Sequence, residues 1–585
     1  MTTKRLAIRG VIFNWFTFVC QIAIVFVTTP ILVRELDMDG YGIWTIVMSF
    51  TAWYVLADFG LRGATVKFIS QYEAEEDYDS INHVIVTTIG TYLVFSCVLM
   101  CVASVIAWRF PHFFDTAQQD PTTIRWVVML SAAAVAINLL GQIFDAVLVA
   151  HKRFDLSNLG NLSTQVLQAA LMVTALLSGE GLFAMAIIVV FVACVNQLYR
   201  YIMARRILPQ ISLNPKNFDK PMLKQLVHFG GLSAISVMAR QGSMPLSNLL
   251  VGKILGVTLV PFFSIAGQLA EYGARLATGV AGPLMPVASQ LNTLGREKIL
   301  RRAFTLGTKT LLAMGCIMGI VLVSVGTPLL EHWMPSDLKQ SGGLGNAASF
   351  ALQSYPILCV LVPAYILRMI GMGSRSILMG THRVKYLGMV GIIDITISMS
   401  VGITLLLIWR RPVGMAWGLL IGQIVTGGCL MPVAAARAVG VTLGQFIVQI
   451  FWPAFRSILP VALVGYAVWY GNKHTEAYAA ASTWQVVLQA LGIGLVGALS
   501  MFLLAFDQSL RNDILAAFIS KKFLNAPLGQ FLMKLPVGKQ LLVPLLTHTG
   551  RGKVPPEESH AEATDDKSTA TTEPATTEPA ADRGT

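Results

Sequence analysis

The sequence predicts an all-α polytopic membrane protein of about fourteen transmembrane helices. Composition is the first reason: 55% of the 585 residues are hydrophobic and 13% are charged, where soluble domains carry about 25% charged residues. Arrangement is the second. Apolar runs of about 20 residues, enough to cross ~30 Å of hydrocarbon, recur along the chain between short polar segments. So little charge cannot cover a water-soluble core, and lipid must be the solvent for most of the surface.

The first run, near 11–33, follows Lys4, Arg5 and Arg9. It is too long for a signal-peptide core and no small-x-small site follows, so a retained first span is expected. Runs near 41–60, 84–107, 124–149, 157–178 and 181–203 complete a set of six. A second set lies near 227–251, 256–282, 303–330, 348–370, 386–408 and 413–435, its first two members being the least apolar. A last pair lies near 446–470 and 484–506.

Short matches link the sets: Ile31-Leu32-Val33 with Leu249-Leu250-Val251, and Ser70-Gln71 with Ser289-Gln290. Their offset, close to 218 residues, corresponds to six spans. The expected organisation is therefore a six-helix bundle over 1–206, a second over 207–440, and an extra pair over 441–506. Repeats of this kind commonly hold their substrate at the interface between halves. Residues 507–550 mix apolar and basic side chains (Ile514, Leu515, Phe518, then Lys521 and Lys522), as in a helix lying on a membrane face. The polar tail 551–585, with TTEPATTEPA, lacks the apolar area to order itself and is expected to be disordered.

The net charge of +12 is not gathered in a nucleic-acid patch. Basic residues recur in alternate loops: Lys152/Arg153, Arg200/Arg205/Arg206, Arg296/Lys298/Arg301/Arg302 and Arg368/Arg375/Arg383/Lys385. The other loops hold little beyond Arg34, Arg109, Lys253, Lys339, Arg410/Arg411 and Lys473. By the positive-inside rule both termini lie in the cytoplasm.

No enzyme signature survives its context. Gly492-Ile-Gly494-Leu-Val-Gly497 fits a dinucleotide fingerprint but sits inside an apolar span with no strand before it, so helix packing is the expected use. Asp37-Met-Asp39 and Asp77-Tyr-Asp79 read as solvated acidic turns. The seven cysteines all lie in apolar runs without metal or redox spacing and read as small packing residues. No cofactor and no metal are expected.

Ionisable residues inside spans carry more information, because each costs ~2.5–3.5 kcal/mol or more at mid-bilayer unless it faces a partner or water. Helical rise puts Arg240 and Glu271 ~20 Å and Asp394 ~12 Å into their spans. Arg275 follows Glu271 by one turn. Each forms either an interhelical ion pair or the wall of a wet cavity. Gln21, Asn138, Gln142, Gln241 and Gln268 are wall residues or interhelical glue on the same reasoning. Asp58 and Arg62 share one helix face by spacing, and at ~25 and ~31 Å they reach the cytoplasmic boundary, where charge is cheap.

The stretches PILVRELDMDGYGIW (Pro30–Trp44), ADFGL (Ala57–Leu61) and KFISQ (Lys67–Gln71) resemble the N-terminal signature of Wzx-type polysaccharide flippases. These belong to the multidrug/oligosaccharidyl-lipid/polysaccharide exporter superfamily, and the likeness extends over about residues 5–505. It implies two helix bundles that rock between inward- and outward-open states in the bacterial cytoplasmic membrane, with a cavity lined by spans one, two, seven and eight. The implied cargo is an undecaprenyl-pyrophosphate-linked oligosaccharide moved across the lipid bilayer, with a polysaccharide polymerase and chain-length machinery as candidate partners. On this resemblance Arg240 and Arg275, with Glu271, Gln21 and Gln241, would bind substrate. Asp58 and Arg62 would form an inner gate or vestibule, while Asp394 and Glu271 would balance charge or carry a coupling ion. A cation-coupled multidrug antiporter of the same fold is the alternative.

Overall fold

The computed structural model describes residues 3–54, 60–115, 119–226, 242–335, 347–381, 383–474 and 482–506, with 508 and 511. Among these residues the structure is helical and contains no strand. In order come α1 (Thr3–Tyr54), α2 (Leu61–Ala74), α3 (Tyr78–Phe113), α4 (Pro121–Ala150), α5 (Phe154–Leu177) and α6 (Leu182–Ile207). Then follow α7 (Ser243–Leu255), α8 (Val260–Leu276), α9 (Thr278–Thr293), α10 (Glu297–Trp333), α11 (Ala347–Gly380) and α12 (Val384–Trp409). The last are α13 (Val413–Ala438), α14 (Gly444–His474) and α15 (Thr483–Ala505). The expected amphipathic segment and polar tail, 507–550 and 551–585, lie outside the described residues apart from 508 and 511.

Eleven described helical stretches are long and apolar enough to cross a membrane, fewer than the fourteen expected. The runs near 11–33 and 41–60 are joined in α1, broken only at Asp37, which leaves helical geometry at φ 59, ψ −178. Of the run near 227–251, α7 is the part described. The run near 256–282 divides into α8 and α9, because the Ala277 and Val280 amides bond three residues back and the Thr278 hydroxyl donates to the Arg275 carbonyl. These bonds tighten the helix and turn it. The run near 348–370 is longer than hydropathy suggests, continuing helically to Gly380 and so carrying Arg368 and Arg375 out of the expected loop.

Prolines decide local packing in α1 and α10. Pro30 has no amide for the Phe26 carbonyl, which would otherwise lack a partner in a water-poor environment. Trp333 supplies one: its Nε1 donates to Phe26 O at 2.7 Å, and the two rings stack with centroids 4.6 Å apart. Asp77 and Asp120 cap α3 and α4 by accepting the Ser80 and Thr123 amides; the Ser80 hydroxyl, then its amide, holds the Asp77 carboxyl below the usual carboxylate range, and the Thr123 amide, then its hydroxyl, does so for Asp120.

The break in α1 packs against the junction of α7 and α8. Gly42 lies so close to Val257 that a Cβ there would meet the Val257 carbonyl oxygen at 2.1 Å. Thr258 donates to Asp39, and Asp37 accepts the Gly40 amide at 2.8 Å. The Asp37-Met-Asp39 turn is thus tied into the protein, with Met38 fully buried, rather than merely solvated. Nearby, Lys253 donates to the Phe113 carbonyl at 2.6 Å and sits 4.1 Å from that ring, closing the end of α3.

Glycines bring α12 and α13 into backbone contact. A Cβ at Gly418 would meet Gly402 Cα at 2.4 Å and the Ser398 carbonyl at 2.5 Å. Backbone cannot rotate away as a side chain can, so Gly418→Ala should destabilise the protein by ~1–3 kcal/mol, read as a lower midpoint of thermal unfolding in detergent. Gly494→Ala, whose Cβ would meet nothing within 4 Å, is the control and should leave the midpoint in place. Gly492 is equally open, whereas Gly497 packs against Ile317.

Outer surfaces are apolar, as lipid requires. α3 exposes Leu93, Val94, Val98, Val102 and Val105, and α15 exposes Leu488, Leu491, Leu495 and Leu499, both at helical spacing. The cysteines correct the packing expectation in part: Cys97, Cys101, Cys194 and Cys429 are exposed, because a lipid-facing surface accepts a small apolar thiol as readily as a core does.

Candidate functional site

A cavity of about 770 Å³ opens between α1, α7, α8, α11, α12 and α13. The two segments of α1 contribute Thr28 and Thr29 before Asp37, then Tyr41, Trp44, Thr45 and Ser49 after it. Tyr41 and Trp44 therefore carry the Tyr-Gly-x-Trp element into the wall. α8 adds Ser264, Gln268, Glu271 and Arg275 at spacings of three and four, one helix face. α11 adds Tyr365, Arg368, Met372 and Arg375 by the same rule.

Among the described residues, the charged part of the wall holds three arginines and two carboxylates. Arg275 donates from Nε and Nη2 to Glu271 Oε1 at 3.2 and 3.1 Å, with both side chains partly open to the cavity. Being an exposed i,i+4 pair, it contributes only ~0.3–0.5 kcal/mol and can be exchanged for another anion at little cost. Asp394, nearly buried, accepts Gln423 Nε2 at 2.9 and 3.0 Å and Thr426 Oγ1 at 2.8 Å. Arg368 lies 5.5 Å from the Tyr365 ring, and both it and Arg375 are half-buried in the wall. Guanidinium forks match phosphate oxygens in geometry and charge, so the wall can receive an anion.

Of the residues singled out from sequence, Glu271, Arg275, Gln268 and Asp394 line this cavity. Arg240, Gln241 and Asp58 lie outside the described residues. Gln21 is half-buried on the helix face of Val25, one turn beyond the lining. Asn138 accepts Gln197 Nε2 at 2.7 Å between α4 and α6, an interhelical bond away from the cavity.

Arg62 corrects the spacing argument. Gly60, at φ 70, starts α2 in the left-handed region, so no continuous helix joins Asp58 to Arg62 on one face. Arg62 reaches Asp145 of α4 instead, with Nε 3.1 Å from Oδ2. Asp145 is almost fully buried, takes the Ser157 hydroxyl, and has Arg200 Nε 3.9 Å away. Arg200 in turn donates to Asn161 Oδ1 at 2.8 Å. This cluster joins α2, α4, α5 and α6.

Sequence reasoning missed Arg368 and Arg375 because hydropathy falls at the end of α11 and the rule for loops absorbed them. Their seven-residue spacing, two helical turns, is the signal that could have placed them on one face with Tyr365.

The family model described as "Polysaccharide biosynthesis protein" matches residues 31–332, just over half of the chain. A Shigella flexneri protein named as an O-antigen transporter is 19% identical over 262 residues, 45% of this chain. That match covers 62% of the relative, less than two thirds of its length. Among solved structures, the lipid II flippase MurJ in an inward closed conformation aligns with TM-score 0.61 at 12% identity, covering 84% of this chain and 98% of that one. An inward-facing multidrug-resistance MATE transporter of the MOP superfamily aligns with TM-score 0.59 at 14% identity, covering 70% and 93%. At such identities the structures speak to the fold, which is one of helical transporters, and the family follows from the sequence match: the chain belongs to the polysaccharide biosynthesis protein family.

Proposed function

We propose that this chain is a flippase that moves an undecaprenyl-pyrophosphate-linked oligosaccharide across the bacterial cytoplasmic membrane by alternating access during cell-surface polysaccharide synthesis. The observation that carries this reading is the cavity wall with Arg275, Arg368 and Arg375 inside a helical, lipid-faced protein. A pyrophosphate crossing hydrocarbon needs fixed cations, and ionisable groups at that depth are retained where they serve a polar pathway. The protein contributes binding and movement rather than catalysis. Glu271 and Asp394 balance the arginines while the site is empty, and either can carry a coupling proton. Arg240 and Gln241 add to headgroup binding, Gln21 extends the polar track, and Asp58 with Arg62 shapes the inner vestibule.

In the membrane, bundles 1–206 and 207–440 rock about the cavity while 441–506 forms an added pair, with both termini cytoplasmic. The break at Asp37 and its partner junction at Val257 then close the outer end, and the polymerase and chain-length machinery receive the product there. The reading is supported by the relative named as an O-antigen transporter and by the fold shared with a lipid II flippase.

The test is translocation of a fluorescent lipid-pyrophosphate oligosaccharide in proteoliposomes, with Arg275→Ala alongside. Translocation by the wild type and a loss of about 10-fold or more in the variant are expected, since a charge-assisted contact contributes ~1.5–3 kcal/mol. Wild-type rates from Arg275→Ala would remove the headgroup role. Failure on this cargo, with gradient-driven uptake of a cationic dye, would assign the antiporter instead.

A further inference from the structure

The cavity is divided along its length. All its described lining residues from α1 and α7 are uncharged, being hydroxyl, amide, aromatic, thioether or aliphatic. Its charged residues come from α8, α11 and α12. Counting helical rise from the packed junction of Gly42 and Val257, Trp44 is ~3 Å and Asn248 ~14 Å inward, whereas Arg275 is ~22 Å beyond the start of α8 at Val260. The described lining of α1 and α7 therefore forms a neutral chamber between the packed junction and Arg275. Tyr41 and Thr45 of α1 and Gln268 of α8 line the two sides of that chamber.

One group in it is unsatisfied. Ser49 Oγ donates to the Thr45 carbonyl at 2.8 Å and accepts Asn248 Nδ2 at 3.2 Å. With its proton already given to Thr45, Ser49 can only accept, which fixes the Asn248 amide with its nitrogen toward Ser49. Asn248 Oδ1 is left buried with no hydrogen-bond partner among the described residues, on a side chain only 8% exposed. An unfilled buried acceptor costs stability unless a ligand supplies a donor. Hydroxyl and amide groups in the same cavity lining as Trp44, which is itself only 7% exposed, are what a pyranose ring requires: hydroxyls to bond, and an apolar face to lie on an aromatic ring.

Resting on the flippase reading, we propose that the α1/α7 chamber is a subsite for uncharged sugar. It holds the glycan next to the pyrophosphate, which lies on the arginines, so that the cargo enters sugar-first toward the closed end. The Asn248 carbonyl accepts a sugar hydroxyl and Trp44 provides the stacking face. A carboxylated sugar gains nothing from the described lining residues of α1 and α7, none of which offers a cation.

The experiment compares three soluble probes on the purified full chain in nanodiscs: a short-chain isoprenyl pyrophosphate, the same lipid bearing a neutral disaccharide, and the same bearing a hexuronic acid. Dissociation constants are read by thermophoresis. The neutral disaccharide should bind about 10-fold tighter than the bare pyrophosphate, the effect of one or two net hydrogen bonds, and the uronic acid no tighter than the bare lipid. Asn248→Ala should bring the neutral-to-bare ratio to about 2 or less, and Asn248→Ser, a smaller change for folding, should lower it about threefold. A wild-type ratio near one, or a ratio unmoved by both variants while bare pyrophosphate binds, would overturn the subsite and leave the flippase reading standing. No binding of any probe would overturn both.

Discussion

Replacing Arg368 by Ala is expected to lower translocation of the lipid-linked oligosaccharide by about 10- to 100-fold, and replacing Arg375 with it by more. Both side chains lie half-buried on the face of α11 that lines the cavity, with Met372 between them and Tyr365 one turn before Arg368. On the proposed function, removing one subtracts a charge-assisted contact to the anionic headgroup and leaves Asp394 nearer to dominating the local field. Arg368→Lys should recover only part of the rate, because an ammonium lacks the planar fork that grips two phosphate oxygens. Translocation in proteoliposomes measures both. Full activity in Arg368→Ala would place the headgroup elsewhere. Arg411→Ala, on the short connection between α12 and α13, should change the rate little.

The second large effect concerns stability. Asp145→Ala should lower stability by about 3–5 kcal/mol, the cost of leaving a buried charge without its partner. Arg200 has a side chain only 12% exposed, with the Asp145 carboxylate 3.9 Å away and Asn161 as a neutral partner. Arg62 would lose its carboxylate as well, but at 42% exposure it can turn to water, so Arg62→Ala should cost far less. Thermal unfolding in detergent separates the two variants. Equal losses from both would mean that Arg62 rather than Arg200 depends on the carboxylate.

Legibility from sequence followed the physics of each signal. Glu271, Arg275 and Asp394 were visible because charge within an apolar run is costly and local to read. Asp145 was equally charged within a run yet passed unremarked, since its partners on α2, α5 and α6 are 83, 12 and 55 positions away. Spacing suggested that Arg62 faced Asp58, but Gly60 breaks the helix between them, and a glycine's backbone choice depends on what the chain must then reach. Arg368 and Arg375 were read as loop charges because hydropathy averages over a window and cannot see that one face of α11 borders water while the rest is packed.

Composition and the recurrence of apolar runs were enough to determine a helical membrane protein, because in hydrocarbon only internally bonded backbone can persist. The Tyr-Gly-x-Trp and Asp-Phe-Gly elements were enough to point to the family. Which charges meet was decided by tertiary structure alone. The gathering of α1, α7, α8, α11, α12 and α13 around one cavity brings together residues from Val25 to Met431. Contacts over such separations arise from helix packing, in which glycine against carbonyl at Gly42 and proline against tryptophan at Pro30 set the approach, and no periodicity within one helix records its neighbour.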